Sequence, residues 1–167
     1  MTTESVPASR EEFLLAVGKA TANATIADVM MFNVFRLCSG TDVHLAKAIY
    51  YTIDAHQTRA SLIRRTMLAK EWGDEEKELA NSIIKAVESA NGARNELAHA
   101  LMYQKDLDVE GPFHRIVPRR MGEQPKLVSK QYLKSMVRQT AEAVEAAQNL
   151  WIALCVKRGA SQEMQLE

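Results

Sequence analysis

The sequence has few residues that interrupt or cross-link a chain. Its 167 residues include 7 glycines, 4 prolines and 2 cysteines. Because glycine and proline most often end helices and strands, their scarcity allows long uninterrupted elements. The two cysteines, Cys38 and Cys155, form neither a disulfide framework nor the paired spacing of a zinc site. We therefore expect a reduced protein with long elements, no bound metal and no cofactor.

Long apolar runs and an excess of one charge are also missing. The longest stretch without an acidic, basic or histidine side chain is 11 residues, 146–156, against the ~20 needed to span a bilayer. The N-terminus, MTTESVPASREE, has no basic region followed by an apolar run, so it does not resemble a signal peptide. A cytoplasmic protein without membrane contact is expected. With 21 basic and 21 acidic residues, a uniformly basic nucleic-acid coat protein is excluded, whereas an enzyme with a local basic groove is not.

The sequence does contain apolar residues spaced three and four apart, which predicts helices. The first pattern begins with Ser9 and Glu12, the arrangement of a capping box. Four long patterns of this kind occur, at residues 9–39, 41–72, 74–103 and 129–158. Since no single stripe buries itself, we predict an all-α fold, an antiparallel up-down-up-down four-helix bundle.

Residues 106–128 interrupt the helical pattern and contain 3 of the 4 prolines. We predict an irregular insertion before the last helix, in which FHRIV and PKLV pair as a small hairpin. The domain boundaries follow: a disordered N-terminus at 1–8, the bundle at 9–158 and a C-terminal tail at 159–167.

The insertion is locally basic. Between Pro112 and Lys130 there are five basic residues and one acid. A solvated loop is one interpretation of this excess. The other is a segment that contacts RNA phosphates, in which case Arg115, Arg119 and Arg120 are the candidate RNA-binding residues.

The third predicted helix has two organised faces. At about 100° per residue, Leu97 marks the core side. Another stripe, polar in the middle and apolar at both ends, lies roughly opposite, and such a face predicts contact with a second copy of the chain. Its outer residues are the candidate dimer interface: Ile84, Glu88, Asn91 and Met102. Its middle carries Asn95 and His99, while Arg94 lies between the two faces.

The string Arg94-Asn95-x-Leu97-Ala98-His99, late in the third helix of a predicted bundle, resembles the motif of the HEPN superfamily. Members of this family are all-α bundles with an arginine, a following polar residue and a histidine four to six residues later. Active members are metal-independent endoribonucleases whose site is shared by two protomers, often in a toxin or phage-defence context.

The resemblance implies a homodimer that cleaves RNA and leaves 2′,3′-cyclic phosphate ends. It implies His99 as general acid or base, Arg94 as the phosphate-holding residue and Asn95 as an orienting residue. An antitoxin protein is a further partner that it suggests. Two positions depart from family patterns: Ala100 replaces a frequent glycine, and Leu101 replaces a tyrosine of one subgroup. Two alternatives stay open, an inert module that binds a nucleotide or partner, and a purely structural helical dimer.

Overall fold

Five helices and a small sheet form from the four helical patterns and the insertion. A computed structural model describes residues 6–99, 101–103, 114–116 and 126–159. In chain order the elements are α1 (Arg10–Ser39), α2 (Val43–Tyr50), α3 (His56–Ala69), α4 (Asp74–Ala98), β1 (Leu101–Tyr103), β2 (His114–Ile116), β3 (Lys126–Leu127) and α5 (Lys130–Arg158). The prediction of an all-α bundle is confirmed. No helix in the described part of the chain combines the length and apolarity that crossing a bilayer requires.

The chain divides into two compact units. The first comprises Met1–Ala24 and Ser89–Glu142, and the second comprises Thr25–Glu88 and Ala143–Glu167. The three longest helices therefore each contribute to both units. The core of the first unit contains buried residues of α1, α4 and α5, together with one residue from the segment before α1 and one from the segment before α5: Ala8, Phe13, Ala16, Ala20, Leu97, Val128 and Leu133.

Local capping determines where α1 begins. The Ser9 amide donates to Oε2 of Glu12 at 2.8 Å, and the Glu12 amide donates to Oγ of Ser9 at 3.2 Å. This reciprocal pair satisfies two amides that the helix itself leaves unbonded. A hydrogen bond from Lys130, 2.7 Å away, is the main reason that the pKa of Glu12 is lowered. The predicted capping box is confirmed, and it is joined to the start of α5.

The chain before α1 was predicted to be disordered as far as residue 8, but its last part is paired. Pro7 forms an antiparallel bridge with Ser129. The Ala8 amide donates to the Val128 carbonyl, and the Lys130 amide donates to the Val6 carbonyl, each at 3.0 Å. These bonds hold residues 6–8 beside the start of α5, and residues 1–5 of the predicted segment lie outside the described residues.

The predicted second helix is two helices. Asp42 caps α2 by accepting from the amides of His44 and Leu45. The helix ends at Tyr50, and the Thr52 hydroxyl donates to the Ile49 carbonyl at 2.7 Å. The interruption, residues 51–55, contains neither glycine nor proline, so no local signal in the sequence marked it.

The interruption is held in place by contacts with α1. Arg59, early in α3, donates to the Ile53 carbonyl at 2.6 Å and to Oδ2 of Asp28 at 3.1 Å. Its guanidinium lies 4.8 Å from the centre of the Tyr50 ring. The Tyr50 hydroxyl donates to Oδ1 of Asp28 at 3.3 Å, and its ring is 5.5 Å from that of Phe32. These contacts tie the end of α2 and the start of α3 to α1.

The extra reversal changes the direction of the last helix. In the first unit, α1 and α5 run parallel, since Glu12 pairs with Lys130 and Asn23 donates to Thr140 at 3.0 Å. In the same unit α4 runs antiparallel to α5. The first and last helices had been expected to run antiparallel. They run the same way because the described residues make five helical passes rather than four.

The small sheet agrees in part with the predicted hairpin. β2 pairs antiparallel with β3, with His114 opposite Leu127 and Arg115 opposite Lys126. β1, which pairs with β2 on the other side, was not predicted. Its residues, including Met102, were expected to continue the preceding helix, but α4 ends at Ala98. The prediction that Met102 belongs to a stripe on that helix is therefore wrong.

We expect the pair between Asp28 and Arg59 to contribute strongly to stability. Arg59→Ala leaves a mostly buried carboxylate without its cation, so the free energy of unfolding should fall by roughly 3 kcal/mol. Urea unfolding followed by circular dichroism measures this change. Arg138→Ala is the matched control, because its pair with Glu142 is exposed and contributes about 0.5 kcal/mol or less. Equal losses in the two variants would contradict the assignment.

His56 should make stability depend on pH. Among the described residues its buried Nε2 has no hydrogen-bond partner, and burial lowers the pKa of His56, against an opposing effect of the Asp28 carboxylate. The folded state takes up a proton on His56 less readily than the unfolded chain does. The contribution of neutral His56 to the free energy of unfolding is therefore fully present above the unfolded-state pKa of about 6.5. It is lost as the pH falls through that value towards the folded-state pKa. Urea midpoints should fall from about pH 7.5 to about pH 5, and they should fall less in His56→Gln. His44→Gln, at an exposed position, is the control that should follow the wild type.

Candidate active site

The last turns of α4 carry the three residues of the candidate site. Leu97 is completely buried in the core of the first unit, and Ala93 and Ala90, one and two turns earlier, are buried as well. These residues determine the rotational setting of the helix. The His99 amide donates to the Asn95 carbonyl at 2.9 Å, so helical bonding extends one residue beyond Ala98.

Asn95 and His99 lie on the exposed side of this helix end. They are four residues apart, which places them on the same side about one turn from each other. Both are exposed, as the position of Leu97 requires. An imidazole and an amide are therefore accessible together at the C-terminal end of α4.

Arg94 lies next to this exposed side and is held there by Asn91, for which the sequence predicted a different role. Its Nη2 donates to Oδ1 of Asn91 at 3.3 Å, and both residues are half-buried. Asn91 had been predicted as a dimer-interface residue only. The spacing of Asn91 and Arg94, three residues apart on a helix, could have indicated this contact, because side chains at that spacing are neighbours.

Within a single chain, the Arg94 and His99 side chains do not converge on the same position. Five residues separate them by about 140° around the axis and about 7.5 Å along it. The bond to Asn91 directs the guanidinium towards the preceding turn, away from His99. The structure thus groups Asn95 with His99 and Arg94 with Asn91, as two adjacent pairs on one helix.

A contact from α5 holds the same helix end. The Tyr132 hydroxyl donates to Oε1 of Glu96 at 3.0 Å, and the Tyr132 amide donates to the Ser129 hydroxyl that precedes α5. Tyr132 also packs against the core cluster that contains Leu97. The candidate site is therefore on a helix end that is fixed by an apolar and a polar contact.

Part of the predicted dimer interface is not available for contact. Ile84 is completely buried within its own chain, because α4 buries a broad side there that also includes Ala80, Ile83 and Val87. Met102 lies on β1 rather than on the helix. The prediction for Ile84 is wrong, and the polar part of the stripe remains, with Glu88, Asn95 and His99 exposed and Asn91 half-buried.

The candidate RNA-binding residues are placed only in part. Arg115 lies on β2, with its backbone opposite Met102 and Lys126. Arg119 and Arg120 lie outside the described residues. These three positions keep the role that the sequence suggested for them as a prediction.

Other reactive side chains of the described residues do not supply an alternative site. Burial raises the pKa of the Cys38 thiol to about 12 and also raises that of Cys155, which makes a thiolate nucleophile unfavourable at either position. No group of three or more histidine, cysteine or acidic side chains within the described part of the chain is arranged to hold a metal ion. Comparison with family models, curated proteins and solved structures found no match to this chain.

Proposed function

We propose that this chain is a metal-independent endoribonuclease whose site contains Arg94, Asn95 and His99. One observation supports the proposal most directly. The end of α4 presents an accessible imidazole and amide, with a guanidinium held alongside by Asn91. These are the groups that the resemblance to the HEPN superfamily implies, and they lie on a firmly packed helix, as a precise catalytic arrangement requires.

The proposed chemistry needs no nucleophile from the protein. His99 accepts the proton of a ribose 2′-hydroxyl, and the 2′-oxygen then attacks the adjacent phosphorus. The bond from phosphorus to the 5′-oxygen breaks, and that oxygen takes a proton from a second imidazole or from water. The products are a 2′,3′-cyclic phosphate and a free 5′-hydroxyl. Arg94 stabilises the negative charge that develops on the phosphate oxygens, and Asn95 orients His99 or the phosphate.

The separation of Arg94 from His99 favours a site that two copies complete. In a symmetric pair, Arg94 of one protomer lies next to His99 of its partner when the exposed polar stripes face each other in opposite directions. Two facing copies also supply one imidazole as base and another as acid. This dimer differs from the one expected from the sequence, because its contact is the polar stripe without Ile84.

The decisive assay is cleavage of RNA in excess EDTA, with analysis of the product ends. His99→Ala should lower the rate about 10²–10⁴-fold, the usual contribution of positioned proton transfer. Arg94→Ala should cause a comparable loss, and Arg94→Lys should recover part of it, because an ammonium lacks the planar fork of donors. His44→Ala, another exposed histidine, is the matched control and should retain activity.

Three results would contradict this proposal. Cleavage by His99→Ala at the wild-type rate would assign the activity to another group or to a contaminant. Product ends without a cyclic phosphate would exclude the 2′-hydroxyl as the nucleophile. Absence of cleavage together with tight nucleotide binding would favour the alternative, a module that binds without catalysis.

Asn91 should act on cleavage through Arg94. Asn91→Ala removes the acceptor of the guanidinium, so the rate should fall by about tenfold, the cost of one misplaced charged hydrogen bond. In an Arg94→Ala background the same substitution should have little further effect, because the group that it positions is already missing. A double-mutant cycle on kcat and KM measures the coupling. Independent, multiplying losses would mean that Asn91 acts in another way.

A further inference from the structure

A groove on the first unit, separate from the proposed catalytic residues, combines an apolar floor with a cationic edge. It lies between the parallel N-terminal parts of α1 and α5 and has a volume of about 380 Å³. The floor consists of Leu15, Ala16, Leu133, Val137 and Ala141. Leu15 is 56% exposed although it is large and apolar, so the groove leaves hydrophobic surface in contact with water.

The edge of the groove is strongly cationic. Four lining residues are basic, Lys19, Lys130, Lys134 and Arg138, and one, Glu12, is acidic. Glu12 already pairs with Lys130 at 2.7 Å. Arg138 also pairs with Glu142 at 3.6 Å, but both of these side chains are exposed. Four cations against these two acids leave a positive field, so an occupant that carries carboxylates is favoured over a neutral or cationic one.

The cations on α5 follow a regular spacing. Lys130, Lys134 and Arg138 are four residues apart, and each step advances about 6 Å along the helix. Leu133 and Val137 form an apolar line directly beside them. From residue 130 to residue 141 the lined surface extends about 16 Å, roughly three helical turns.

We infer that this groove binds an amphipathic helix of a partner protein, with its apolar side on the floor and its carboxylates along the cationic edge. A helix of about three turns matches the length, and its apolar positions repeat at the same interval as those of α5. A single anionic headgroup does not span three cations spread over about 12 Å. A nucleic acid is disfavoured because none of the ten lining side chains is aromatic, so bases find no stacking surface.

Binding of designed peptides to the full chain, measured by fluorescence anisotropy, tests the inference. The probe is a labelled helical peptide of about four turns with a leucine stripe flanked by glutamates. One control peptide has lysine in place of every glutamate, and the other has the same composition with the leucines dispersed around the helix. The acidic amphipathic peptide should bind at least tenfold more tightly than either control, and its affinity should fall as salt is added.

Variants of the protein locate the binding surface. Lys134→Glu combined with Arg138→Glu should weaken binding of the acidic peptide at least tenfold, and Leu15→Asp should weaken it at every salt concentration. Lys47→Glu combined with Lys85→Glu is the matched control, since it makes the same charge change at exposed positions outside the groove. Circular dichroism verifies that each variant is folded.

Other occupants give different results, and each would overturn the inference. Equal affinity for the acidic peptide and both controls would exclude recognition by charge and by the apolar stripe. Groove-dependent binding of dodecanoate, with none of the acidic peptide, would identify a site for an anionic lipid. A dimer that light scattering shows to become monomeric in the Lys134→Glu, Arg138→Glu variant would identify a second copy of the chain as the occupant. None of these measurements involves RNA cleavage, so they are independent of the proposed catalytic function.

Discussion

The burial of Leu97 determines what the end of α4 presents to solvent. This side chain is completely enclosed by a core that includes Phe13, Ala16 and Leu133. Since successive residues turn by about 100° around a helix, an inward Leu97 forces Asn95 and His99 outward. Rotation of α4 to bury either polar side chain would remove a leucine from the core, a loss of about 2–3 kcal/mol.

The buried side of α4 is not the same along its whole length. In the second unit it is wide and includes neighbouring positions such as Ile83 and Ile84. There α3 is joined to α4, as Arg64 donates to Asn81 at 3.0 Å. In the first unit the buried side narrows to Ala90, Ala93 and Leu97, so Asn91 is only half-buried and Asn95 is exposed. Polar side chains are therefore accessible at the narrow end of the buried side.

The contacts of Asp28 and Arg59 have consequences beyond their own unit's stability. They keep the reversal between α2 and α3 in place, and the chain consequently makes an odd number of helical passes. The parallel arrangement of α1 and α5 follows from that number. Parallel neighbours bring Lys19 of α1 and Lys134 of α5 to the same groove.

Several features of the structure were determined by residues close together in the sequence. The helices, the capping pair of Ser9 and Glu12, and the exposure of Asn95 and His99 depend on spacings of four residues or fewer, which local hydrogen bonds and helical periodicity control. The pairing of β2 with β3 was also predictable, because it joins two short segments on either side of a turn-rich sequence.

Only the tertiary structure decided the features that involve distant partners. The break at residues 51–55 has no glycine or proline and depends on Asp28, which lies more than twenty residues away. Ile84 was assigned to an exposed stripe because its position relative to Leu97 suggested one, whereas the wide packing surface of the second unit buries it. Helical periodicity specifies the angle between two residues, but it does not specify how many neighbouring helices cover a given side. That number depends on the path of the whole chain.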